Sequence, residues 1–110
     1  MATGSILSLA LALALMGPSR AFAETLPGDV GQGRALAERV CATCHVIGAR
    51  LFWAPLGGAP SFADVARSPE TTELGLRAFL QTPHRRMPNL ILSGQETDDV
   101  IGYIWSLRRR

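Results

Sequence analysis

Of the 110 residues in this chain, the first 23 read as a leader that is cut away, which leaves 87 to build a fold. Ile6 to Met16 is an uncharged run of Leu, Ala, Ile, Ser and Met. The breaker pair Gly17-Pro18 and the small-x-small triplet Ala21-Phe22-Ala23 follow it. The run is short for a bilayer span and has the form of a secretory signal with its cleavage site, so export and a mature start at Glu24 are expected. Met1 to Ser5 carry no Lys or Arg, so the positive start usual in such a signal is missing. An uncleaved membrane anchor is the rival reading of the same run. The remaining 87 residues bury little apolar surface, and domains of that size usually depend on a staple or a cofactor. The overall hydrophobic content of 47% overstates the core, because the leader contributes much of it. All eleven basic residues are Arg; with Arg20 removed, ten Arg face nine acids, a net charge of about +1. That balance is not the footprint of a nucleic-acid binder.

The mature part shows no repeat, no low-complexity tract and no linker. Leu26-Pro27-Gly28-Asp29 reads as the start of a helix with Asp29 as N-cap. Gly33, Leu36, Ala37 and Val40 then form one apolar helical face running into Cys41. Val46 to Gly58 is rich in Gly, Pro and Ala and reads as a loop. Ser68-Pro69 has the form of an N-cap followed by Pro at the first helical position, with Leu76, Phe79 and Leu80 as a stripe that Pro83 stops. Pro83 to Leu92 is a second loop, since Pro88 interrupts regular hydrogen bonding. Ser93-Gly94-Gln95-Glu96 is a capping box for a last helix, whose Val100, Ile101, Ile104, Trp105 and Leu107 favour one face. Arg108-Arg109-Arg110 is expected to sit against the negative end of that helix. No segment alternates with strand period, so the domain is expected to be all-helical.

Within this helical frame stands Cys41-Ala42-Thr43-Cys44-His45, which holds both cysteines of the chain. Two thiols at this spacing reach the two vinyl groups of one haem and form thioether bonds, and the adjacent His supplies an imidazole to the iron. A structural zinc site wants four Cys or His ligands, and the whole chain has two of each. A thioredoxin-like pair needs a βαβ setting, which is missing. A plain disulfide across two residues gains little loop entropy and leaves His45 unexplained. Covalent haem, one per chain, is therefore expected on Cys41 and Cys44, with His45 on the iron. For the second axial position the mature chain offers Met87 and His84. Met87 lies between Pro83 and Pro88, which keep it extended; its soft thioether favours ferrous iron and a high potential. Core packing is the other use of such a Met. His84 in its place gives a lower-potential bis-His haem.

On these residues the chain resembles a class I cytochrome c over residues 28–108: the haem motif near the mature start, Met87-Pro88 later, and a helix at the end. The resemblance implies an all-α, cytochrome c-like fold, three to five helices wrapped around a covalently attached haem. It also implies that the first and last helices cross near-perpendicularly where a Gly meets an aromatic residue. Gly33 with Tyr103 or Trp105 are the candidates, and Gly102 is an alternative point of close approach. The family's Gly-Pro-x-Leu segment, whose Pro carbonyl accepts a hydrogen bond from the ligating His, is loosely matched by Gly58-Ala59-Pro60-Ser61-Phe62. Pro60 is then the candidate acceptor for His45, with simple loop punctuation as its other reading. Two features depart from the pattern. Ala37 or Leu36 stands where the first helix usually has an aromatic residue, and no Lys ring is present, so partner identity does not carry over. Arg50, Trp53, Arg85 and Arg86 are candidates for propionate or partner contacts, against a solvated loop face as the plainer reading.

The function these features imply is a one-electron carrier that is no enzyme, works in the periplasm or is otherwise exported, and serves redox partner proteins. No nucleic acid is expected, and no membrane span once the leader is gone. A permanent haem subunit of a larger oxidoreductase is the alternative. A ligand-binding or peroxidase-like haem protein needs an open sixth site, which Met87 opposes.

Overall fold

The computed structural model describes residues 25–48, 58–83 and 86–109. The expected leader, Arg50, Trp53, His84 and Arg85 lie outside the described residues, as does most of the expected loop from Val46 to Gly58. Four α-helices and a closing 3-10 turn make up the described regular structure, and no strand occurs among the described residues.

Helix α1 (Val30–Val40) starts where the sequence places it. Asp29 is extended, and its carboxylate accepts from the Gln32 backbone N–H at 2.8 Å. Helix α4 (Gly94–Ser106) starts with the full capping box: Ser93 Oγ accepts from the Glu96 N–H at 3.1 Å, and Glu96 Oε2 accepts from the Ser93 N–H at 2.8 Å. These two helices form the main contact of the fold. Gly33, Leu36 and Ala37 of α1 face Val100, Ile101, Tyr103 and Ile104 of α4 within one buried cluster.

Glycine makes that contact close. A Cβ on Gly33 would fall into the Asp99 carbonyl and against Tyr103 Cβ, and a Cβ on Gly102 would fall into the Pro27 carbonyl. Both candidate glycines are thus used, each against a different partner, and Tyr103 rather than Trp105 is the aromatic residue at Gly33. The segment before α1 is tied down as well. Buried Asp99 accepts from the Asp29 backbone N–H at 2.7 Å and from Gln95 Nε2 at 2.7 Å, so the carboxylate is satisfied where it stands. We expect Gly33→Ala to destabilise the protein by about 3 kcal/mol, because the obstacle is a backbone carbonyl that cannot rotate away. That corresponds to a fall in Tm of roughly 10–20 °C. Gly48→Ala, where a Cβ meets nothing within 4 Å, should leave Tm nearly unchanged in the same scan.

Val40, expected on the buried face, is 40% exposed. The buried side of the helix passes instead through Cys41, four residues after Ala37 and so on the same face.

The middle of the chain departs further from expectation. A short helix, α2 (Phe62–Arg67), follows Pro60, with Ser61 as N-cap accepting from the Asp64 N–H at 3.0 Å. Ser68 closes this helix through its N–H to the Asp64 carbonyl, instead of opening the next one. Thr71 N–H then bonds to the Ser68 carbonyl at 3.2 Å, which makes Ser68-Pro69-Glu70-Thr71 a turn. Proline at the second turn position fixes φ as well as it would at a helix start, so the Ser-Pro pair admits both readings. Helix α3 (Glu73–Leu80) is capped by Thr72, whose Oγ1 accepts from the Gly75 N–H at 3.0 Å. It ends before Pro83 as expected, with Leu76 buried, Leu80 half-buried and Phe79 51% exposed.

Arg108 is also placed differently. It lies in the 3-10 turn Leu107–Arg109 that follows α4, and its Nε donates to the Ala66 carbonyl of α2 at 2.7 Å. Its guanidinium carbon stands 3.6 Å from the centroid of the Trp105 ring. Arg108 thus meets the carbonyls of Ala66 in α2 and of Thr71 beyond it, and joins the end of the chain to its middle.

Candidate functional site

The last turn of α1 continues into the cysteine motif. Cys41 N–H and Ala42 N–H both donate to the Ala37 carbonyl, at 2.9 and 3.0 Å, and Cys44 N–H and His45 N–H both donate to the Cys41 carbonyl, at 3.1 and 2.9 Å. One tight turn therefore sets the cysteines three positions apart, a spacing that places two side chains on one side of a helical turn. Neither forms a disulfide; Cys41 is buried in the core cluster and Cys44 is exposed. Burial pushes the Cys41 thiol up to about 11, which favours neutral sulfur over thiolate.

His45 is held from behind. Its Nδ1 stands 2.7 Å from the Pro60 carbonyl oxygen. A carbonyl only accepts, so this bond needs a proton on Nδ1, the arrangement that leaves Nε2 as the nitrogen able to bind a metal. The backbone brings the two together: Phe62 N–H donates to the Val46 carbonyl at 2.9 Å, pinning the start of α2 beside the residue after His45. The Phe62 ring lies 5.3 Å from the His45 ring and 6.3 Å from the Tyr103 ring. Tyr103 in turn donates its hydroxyl to the Ile47 carbonyl at 2.7 Å.

Met87 lies between α3 and α4, half-buried, where the chain bends at Arg86 and Met87 instead of running extended. The flanking prolines bar a helix there but permit a bend. Among the described residues, no group of three or more His, Cys, Asp or Glu could hold a metal ion. The residues present are instead two thiols, one buried and one at the surface, beside an imidazole whose Nδ1 is bonded to a carbonyl oxygen. This chemistry fits a haem that takes two thioether bonds and one nitrogen ligand.

Sequence reading singled out Cys41, Cys44, His45, Pro60 and Met87 but missed the support around them. Phe62 was seen only as the end of a loose motif, and the Tyr103 hydroxyl was given no partner. Ser61-Phe62-Ala63-Asp64 carried the available signal, since Ser followed three residues later by an acid is a helix-start pattern. Ser61 Oγ also donates to Asp64 Oδ2 at 2.7 Å.

No protein-family model and no solved structure matches the chain. Among curated proteins, it is 44% identical over 85 residues to the cytochrome c-552 of Bradyrhizobium diazoefficiens, a match covering 77% of this chain and 81% of that protein.

Proposed function

Because this chain belongs to the c-type cytochromes, we propose that it is an exported one-electron carrier whose single haem is bound through Cys41 and Cys44 and ligated by His45 and Met87. Haem c and a role in electron transfer rather than catalysis come with the family. The haem, when bound, supplies the ferric/ferrous couple. The protein's own residues do the rest. Cys41 and Cys44 would hold the group through thioether bonds. Proton-bearing Nδ1 of His45 gives its hydrogen bond to Pro60, which raises the basicity of the ring and keeps Nε2 directed to the metal. Met87 offers a soft donor that favours the reduced state. The observation that carries this reading is the His45–Pro60 bond directly behind the paired cysteines. Spectra of the purified protein in both oxidation states test it. Thioether-type haem bands, one haem per chain and a sulfur-to-ferric-iron band are expected; a high-spin ferric spectrum, or haem lost on acidic organic extraction, would overturn it.

Residues 1–23 act in this reading as the export signal and 24–110 as the haem domain. No helix among the described residues is long and apolar enough to cross a membrane. The intact mass of the native protein should correspond to a chain starting at Glu24 with one haem. A mass that retained Ile6 to Met16 would place the protein on the membrane instead.

A further inference from the structure

A single hydrogen bond from His45 Nδ1 to the Pro60 carbonyl fixes the tautomer and one direction of the imidazole, but the ring can still rotate about that direction. The ring torsion of a histidine is intrinsically broad, so something else has to set its plane. The Phe62 ring is placed to do this. Its centroid lies 5.3 Å from that of His45 with the planes inclined at 51°, within the range of tilted aromatic pairs. Phe62 is itself held on three sides. Its backbone N–H bonds to the Val46 carbonyl, its side chain is buried, and its ring leans on Tyr103 at 6.3 Å and 57°. Tyr103 closes the loop by donating its hydroxyl to the Ile47 carbonyl, two residues beyond His45.

We propose that Phe62 is a positioning residue that sets the plane of the His45 imidazole, and that Tyr103 holds Phe62 in place from α4. The inference rests on His45 being an axial ligand of the haem. Rotation of an axial imidazole redistributes unpaired spin over the four pyrrole rings of a ferric low-spin haem without changing the coordination number. The optical spectrum is then insensitive to Phe62, whereas the hyperfine-shifted haem-methyl resonances are not.

Proton NMR of the ferric holoprotein is the test, on the wild type, Phe62→Leu, Tyr103→Leu and Tyr103→Phe. The wild type should show four resolved haem-methyl signals and strongly shifted axial imidazole protons. Phe62→Leu should keep the sulfur-to-iron band but change the order or spread of the methyl signals by several parts per million. Tyr103→Leu should move them in the same direction by less, and this variant carries the test if Phe62→Leu fails to mature. Tyr103→Phe, which keeps both rings, should preserve the methyl order. An unchanged methyl pattern in both leucine variants overturns the proposal and leaves the axial role of His45 intact. A wild-type spectrum without axial imidazole signals overturns that role, and the proposal with it.

Discussion

Replacing Met87 with Ala is expected to abolish the sulfur-to-ferric-iron band, open the iron to small exogenous ligands and lower the reduction potential. Met87 is the one methionine outside residues 1–23, and it is half-buried in the bend between α3 and α4. Loss of a soft donor removes a preference for ferrous iron, so the potential falls; a shift on the order of 0.1 V or more fits within the roughly 0.8 V that axial ligation spans. Met87→His should keep the iron six-coordinate while also lowering the potential, which separates the identity of the ligand from the number of ligands. His84→Ala should leave the spectrum nearly unchanged. The two alanine variants are decisive together, read by optical spectra and potentiometric titration. Loss of the sixth ligand in His84→Ala but not in Met87→Ala would make the haem bis-His and the carrier a low-potential one.

The features legible in the sequence were those written in local chemistry. Asp29 before an apolar face, Ser93 three residues before Glu96, and Pro83 after a helical stripe each specify a helix end through groups within a few residues. The cysteine motif is legible for the same reason. What the sequence left ambiguous depends on partners far along the chain. Ser68-Pro69 suits a turn as well as a helix start, and the choice went to Thr72 because its hydroxyl caps Gly75. Val40 lies seven residues after Gly33 on the apolar stripe, but the buried side runs through Ala37 and Cys41 and leaves it exposed. Arg108 looked like a charge for its own helix, but 42 residues separate it from the Ala66 carbonyl it binds. The aromatic contacts around His45 have the same origin. Tyr103 and Ile47 are 56 residues apart, and tertiary packing, with Gly33 close against α4, brings them into hydrogen-bond range.

The cysteines should matter to folding as much as to redox chemistry. The largest fully buried side chains among the described residues are Ile101, Leu107, Val100 and Thr97, all on or directly after α4. Outside α4, α2 contributes Phe62, Ala63 and Ala66 to the buried set, α3 contributes Leu76, and α1 contributes Gly33, Leu36 and Ala37. So small a core is marginal without a further constraint. Cys41 belongs to that core cluster, so a group bonded to its sulfur extends the core instead of decorating it. Cys41→Ser or Cys44→Ser alone should reduce the yield of haem-bearing protein after export. The double variant should accumulate without haem and lack a cooperative thermal transition, with far-ultraviolet circular dichroism showing most of the helix signal lost. In the native protein the haem should stay with the polypeptide through denaturing electrophoresis, at one per chain. A double variant that kept native helix content and unfolded cooperatively without haem would show that α1 and α4 suffice for the fold, and that the cofactor serves electron transfer alone.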